Sequence, residues 1–289
     1  MKIFSSIYIR SIYFYCLLTC LLLLSGCNPS FDPLQENDQY YFSMYGYLDA
    51  SADTQWVRIM PVRDSLFYNP KEIDATVTLQ ELESGETVTL NDSLFHFSNN
   101  RYAHNFWTTH PLKPSGTYRL EAERSDGAAS HVSVALPADF PIPIAYIWEP
   151  DDFTPDRIEV EGIEQLADVQ VIYRNQGRHF PINHIEDTVI VPDGSYKVYI
   201  RPWEDIETIN TDLGEQLEIP NENREIFVAA ATDDFPDFAT IDDIISTLPE
   251  GISNVESGVG YVGGILSKTI PYKSCFDDNL NRIPCSPTN

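Results

Sequence analysis

Two histidines, His179 and His184, stand five positions apart in what reads as a proline-containing turn, with Glu186 and Asp187 close behind. Imidazoles and carboxylates so grouped are the donors a transition metal takes, although solvated loop histidines beside acids look the same in a sequence. Acid pairs at Asp151-Asp152, Asp233-Asp234 and Asp242-Asp243 are the residue type that glycoside hydrolysis uses in twos. With 44 acidic residues in 289, such pairs arise without any chemistry to explain them. Asp277, Asn279 and Asn281 fall at positions 1, 3 and 5 of a calcium-loop pattern, but Arg282 holds the glycine position and Thr288 that of the bidentate glutamate. Calcium is therefore the one weak cofactor candidate, and no other metal is expected. Gly258, Gly260 and Gly263 satisfy G-x-G-x-x-G, with Asp277 or Asp278 near the spacing of a ribose-binding acid. A dinucleotide fingerprint must follow a first strand and open a helix, whereas this pattern sits in strand-like sequence, where glycines mark bulges or close backbone approach. The chain has no G-x-S-x-G elbow, no H-E-x-x-H and no C-x-x-C. The expectation is a protein with no catalytic residue and no nucleotide.

The first residues carry a different kind of chemistry. Lys2 and Arg10 precede an apolar run from Ile12 to Leu24, followed by Ser25, Gly26 and Cys27. That is the layout of a removable secretory segment, and the run is too short for the roughly 20 residues that span a bilayer. Leu24-Ser25-Gly26-Cys27 resembles the lipobox of bacterial lipoproteins, which implies cleavage before Cys27, acylation of its thiol and a lipid anchor in a membrane. Several acyl chains hold a protein firmly where one is marginal. Asn28 stands where an aspartate would retain some lipoproteins at the inner membrane, which favours the outer membrane.

Cleavage removes two basic residues and no acid, so the mature chain is more acidic than the formal −26 of the whole. A surface so charged repels phosphate backbones, and nucleic acid is excluded as a partner. Cys16 and Cys20 leave with the leader and Cys27 is spoken for, which leaves Cys275 and Cys285 to oxidise to each other outside the cytoplasm.

The elements that must position these groups read as mainly β. After a leader (1–26) and a lipidated tether (27–39), residues 40–137 contain strand-like runs such as YYFSMYGYL, TQWVRIMPV, ATVTLQEL and SHVSVAL at the spacing of a sandwich. Leu112, Pro114, Gly116 and Tyr118 in LKPSGTY resemble the tyrosine corner of immunoglobulin-like and fibronectin type III domains, a structural device. If Asn99-Asn100 is a two-residue turn, Phe95 faces His104, Phe97 faces Tyr102 and His96 faces Ala103. That register puts His96 and His104 on opposite faces and Phe95, Phe97, Tyr102, His104 and Phe106 on one buried face. The prolines of LPADFPIPI mark a boundary, and residues 138–273 are expected to form a second β-rich domain. Two helices are predicted there from apolar stripes, at Trp203, Ile206, Ile209, Leu213 and Leu217, and at Phe238, Ile241, Ile244 and Leu248. Residues 274–289 form a disulfide-closed tail.

LPEGISNVESGVGYVGGILSKTIPYKSC, together with the lipobox, GYLDASADTQWVRI and GTYRLEAERSDG, resembles an uncharacterised lipoprotein family of Bacteroidetes and their relatives. The resemblance implies a neighbour, since such genes often lie beside those of TonB-dependent outer-membrane receptors. It supplies no catalytic residue. The function expected is that of a non-catalytic outer-membrane lipoprotein, accessory to such a transporter in nutrient uptake or envelope assembly. A glycan-binding module that stacks sugars on Trp107, Trp148 and Trp203, or less readily an envelope hydrolase, is the alternative.

Overall fold

The computed structural model describes residues 39–62, 71–97, 101–148, 154–214, 216–217, 219–236, 252–278, 282–283 and 285. The chain is mainly β, with one α-helix among the described residues. In the N-terminal half the strands are β1 (Phe42–Asp49), β2 (Gln55–Pro61), β3 (Thr76–Glu81), β4 (Thr87–Thr89), β5 (Asn91–Phe97), β6 (Arg101–Thr108), β7 (Thr117–Glu123) and β8 (Ala129–Ala135). They form the sheets β1-β2-β6-β5 and β4-β3-β7-β8. Taken as A to G in chain order with β4 as C′, these are the A-B-E-D and C′-C-F-G layers of an immunoglobulin-like sandwich.

The tyrosine corner is in place at the start of β7. Tyr118 is buried, and its hydroxyl accepts a hydrogen bond from the Lys113 backbone N–H at 2.8 Å. A Cβ on Gly116 would sit 2.9 Å from both the Lys113 carbonyl oxygen and the Tyr118 ring, so the corner closes only around glycine. Leu112 packs into the same core. Replacing Tyr118 with Phe keeps the ring and removes the acceptor, leaving the Lys113 N–H unmet. The expected loss is about 1 kcal/mol in denaturant unfolding, with the fold unchanged.

The C-terminal half adds β9 (Ile144–Tyr146), β10 (Asp156–Val160), β11 (Gln165–Asn175), β12 (Arg178–Asn183), β13 (Thr188–Ile190), β14 (Tyr196–Ile200), β15 (Arg224–Ala231) and β16 (Gly258–Pro271). Cys275–Phe276 (β17) and Arg282–Ile283 (β18) make a small terminal hairpin. Helix α1 (Pro202–Leu213) begins on a proline and ends at Gly214 in the left-handed conformation. It follows the first of the two apolar stripes. The second stripe lies outside the described residues.

There are two hydrophobic cores, but they do not divide at residue 137: Val255 and Val262 belong to the first, and one sheet runs under both. β16 pairs in parallel with β1, Phe42 opposite Gly258 through Asp49 opposite Ile265, and antiparallel with β15. The result is one eight-stranded sheet in the order β12-β11-β15-β16-β1-β2-β6-β5. Met44, Leu48, Ile59 and Phe106 from one half, and Val171, Ile226, Val228 and Ile270 from the other, share one face by register. The β4-β3-β7-β8 sheet closes over the first set and β13-β14-β10-β9 over the second.

β16 is the G-x-G-x-x-G stretch, and it is one uninterrupted strand with no helix opening from it. Its inward positions are mostly glycine at one end and larger at the other, with Val262 among the glycines. Gly258, Gly260 and Gly264 face the first core, where the backbones of β1 and β8 press close, and Leu266 and Ile270 fill the wider second core. Gly258 and Gly260 serve close backbone approach, whereas Gly263, on the other face, makes room for the rings of Phe235, Tyr261 and Tyr47.

One register expectation is corrected. Phe95 stands opposite Ala103, His96 opposite Tyr102, Leu94 opposite His104 and Phe97 opposite Arg101. The slip is one residue, because the connection runs through residues 98–100 rather than closing on two. A slip of one moves every side chain of a strand to the other face. His96 and His104 therefore point to the same side, with His96 stacked on Tyr102 at 4.6 Å. Phe95 and Phe97 leave the buried face altogether and stand 41% and 43% exposed on the opposite one.

Candidate functional site

The outward face of the eight-stranded sheet is where the aromatic residues collect. Alternation sends Tyr45 and Tyr47 of β1, Trp56 of β2, Trp107 of β6 and Phe95 of β5 out together. Trp56 pairs with Trp107 across the strands, their rings 5.8 Å apart, and meets Phe95 edge-on at 6.0 Å. Trp107 is tied by its indole N–H to Ser93 Oγ at 3.1 Å. Tyr45, Tyr47 and Trp56 are each nearly half exposed. Arg58 lies between Tyr45 and Asn105 in register and donates to Asn105 Oδ1 at 3.3 Å. Among the described elements, both smaller sheets pack on the other side.

The row continues across β16. Phe235 stacks on Tyr47 at 6.0 Å and meets Tyr261 edge-on at 5.8 Å. Beyond it a cleft of about 500 Å³ opens over β11, β15 and β16, with Phe227, Ile172 and Ile265 on its apolar floor. A bulge between Leu166 and Asp168 turns Asp168 outward into this cleft. Its carboxylate accepts from Gln170 Nε2 and Asn183 Nδ2, both at 2.5 Å. Burial raises the Asp168 pKa, and these donors offset only part of that; burial and the nearby Asp168 charge also raise that of Tyr47. The face is thus a flat aromatic platform joined to an apolar cleft with one fixed carboxylate.

The residues singled out by sequence are scattered over the molecule. His179 sits on β12, which is an edge strand where a proline-containing turn was expected; Pro181 is tolerated because an edge leaves one row of backbone groups unpaired. His184 is buried. Its Nδ1 meets Asp187 at 3.1 Å and its Nε2 meets Asp205 at 3.1 Å, while Asp205 also accepts from the Tyr173 hydroxyl at 2.5 Å. Both ring nitrogens are occupied by carboxylates, so this histidine has none left for a metal. Among the described residues no three histidine, cysteine or carboxylate side chains are placed so that they could hold a metal ion. Burial lowers the His184 pKa, but the bonds and charges of Asp205 and Asp187 outweigh it and leave it above the ordinary value.

Cys275 and Cys285 form the expected disulfide, with their Cα atoms 5.3 Å apart. Asp277 lies within the closed loop; Asn279 and Asn281 lie outside the described residues, as do Cys27, Asp151-Asp152 and Asp242-Asp243. Asp233 and Asp234 are exposed in the turn after β15. His104 is buried against Asp92 at 2.9 Å.

No protein-family model matches the chain, and no curated protein matches it significantly. No helix among the described residues is long and apolar enough to cross a membrane.

Sequence reasoning missed Trp56, Tyr45 and Tyr47 as members of the site. The signal was present as alternation: Tyr45 and Tyr47 on one strand and Trp56 and Arg58 on the other alternate with the inward Met44, Gly46, Leu48, Val57 and Ile59. Such a pattern on two paired strands leaves neither face purely polar.

Proposed function

We propose that this chain is a lipid-anchored, non-catalytic protein of the outer membrane that docks against a TonB-dependent receptor and serves nutrient uptake or envelope assembly. The observation that carries the reading is the outward aromatic face of the eight-stranded sheet, Tyr45, Tyr47, Trp56 and Phe95, on a body that is otherwise strongly acidic. Aromatic side chains supply large contact area at small entropic cost, which is why interface anchors favour them. The lipobox at Leu24–Cys27 supports the location, and the resemblance to lipoproteins encoded beside such receptors supports the partner.

A photo-crosslinking residue placed at Trp56 tests this in native membranes. The expected result is a crosslink from the acylated protein to an outer-membrane β-barrel receptor, abolished by competition with unlabelled protein and weakened by Phe95→Ser. Repeated failure to recover any receptor from Trp56, with the protein acylated and folded, would count decisively against the reading. Intact mass of the native protein checks the anchor, with lipid on Cys27 and the leader absent as the expected result.

A further inference from the structure

A second concave site lies at the rim of the C-terminal sandwich, away from the outward face of the large sheet. It has a volume of about 470 Å³, within the range of small-ligand sites, and two indoles flank it. Trp148 follows β9 and Trp203 stands in the first turn of α1; they are 37% and 39% exposed. Between them the cleft presents Asp156, Arg224, Asn221 and Glu222.

Two of these polar groups, Arg224 and Asp156, are held from beneath. Arg224 lies between the rings of Tyr173 and Tyr272, 5.4 and 5.5 Å from their centroids, and its Nε and Nη2 donate to the Ile219 carbonyl at 3.1 and 2.5 Å. Asp156 accepts the Tyr272 hydroxyl on one oxygen and the Trp148 backbone N–H, at 2.8 Å, on the other. The carboxylate that faces the cleft is therefore also what positions Trp148. Tyr272 and Tyr173 are buried, and Tyr173 leads on to Asp205 and His184. A site whose walls are set before a ligand arrives loses little freedom on binding.

We propose that this cleft binds a neutral carbohydrate. Sugar rings have an apolar C–H face, which stacks on an indole, and an equatorial rim of hydroxyls that both donate and accept. Two half-exposed tryptophans answer the first requirement. A guanidinium, an amide and two carboxylates in one cleft answer the second, since hydroxyls need both kinds of partner. A purely apolar ligand would strand these groups, and an anionic glycan would meet Asp156, Glu222 and the negative field of the whole chain. The inference stands apart from receptor docking, because it uses different residues on a different part of the molecule.

The test uses the mature full-length protein with malto-, cello-, xylo- and manno-oligosaccharides, followed by saturation-transfer NMR and by indole emission. The expected result is saturable binding of at least one of these, with C–H protons of the sugar receiving the transfer. Trp203→Ala and Trp148→Ala each weaken it roughly tenfold, the equivalent of one lost stacking contact. Trp56→Ala, on the outward face, leaves it unchanged. Matching far-UV spectra and unfolding midpoints confirm that the Trp203 variant is folded. Absence of saturable binding to every sugar, binding that survives both cleft variants, or binding lost with Trp56→Ala would each overturn the proposal. Receptor capture lost while sugar binding persists would defeat the docking reading alone.

Discussion

Alanine at Gly264 is expected to lower the unfolding free energy by about 3 kcal/mol or more, from overpacking that the backbone cannot relieve. An added Cβ there would lie 2.1 Å from the Ala135 carbonyl oxygen and 3.0 Å from a Val134 methyl, at the place where β8 lies on β16. The atom in the way belongs to a backbone, not to the movable end of a side chain, so two sheets must separate to admit it. Gly260 should be as intolerant for a second reason. Its φ is +116°, which side chains rarely adopt, and a Cβ would lie 2.2 Å from the Met44 carbonyl oxygen in the adjacent strand. The control is Gly127, with φ +88° in an open turn and nothing within 4 Å of the added atom. Its alanine variant carries only the left-handed backbone penalty, about 1 kcal/mol. Urea unfolding of the three variants checks the ranking. Equal losses at Gly127 and Gly264 would show that the approach of β8 is not what requires glycine.

The second large effect belongs to the buried chain of polar groups under α1. Asp205 is almost fully buried and serves the Tyr173 hydroxyl and His184 together. Replacing it with Ala removes the acceptor of the Tyr173 hydroxyl and the partner of His184 Nε2, and leaves Asp187 alone on the ring. Removing one partner of a buried pair costs about 3–5 kcal/mol, and this variant is expected in that range. The pH dependence has a definite sign. The folded pKa of His184 lies above its unfolded value, so its contribution is fully present below about pH 6.5 and disappears as pH rises through the folded value. The urea midpoint of the wild type should therefore fall between pH 6 and the alkaline side. That fall should be smaller in Asp205→Asn, where the ring has lost the more deeply buried of its two carboxylates. A midpoint that rises with pH over this interval in the wild type, relative to the variant, would contradict the assignment.

Strand content was written locally and could be read locally. β-branched and aromatic runs broken by Ser84-Gly85 and Asp126-Gly127 located most strands, and LKPSGTY carried its corner because all of its partners lie within seven residues. What failed was anything fixed at a distance. The β5–β6 register depended on whether two residues or three join the strands, and the hydrophobic pattern there fits either: Phe95 and Phe97 suit a buried face, and so do Tyr102, His104 and Phe106. The β1–β16 pair joins residues more than two hundred positions apart in parallel, with no turn between them to announce it. For the same reason the cleft between Trp148 and Trp203 could be suspected as two separate indoles but not as one site. Asp156, which holds the backbone of the first of them, is an ordinary acid among many until Tyr272 is folded onto it.

The parallel pairing also bears on how the body would resist a pull. β1 is the first strand after the N-terminal segment, and it is clamped along its length between β2 and β16. A load entering near Tyr41 along the strand would not peel one hydrogen bond after another from an edge; it would have to shear two ladders at once, under the roof of the first core. A pull on the start of the chain would thus reach the middle of the sheet, between two ladders, before any rim strand.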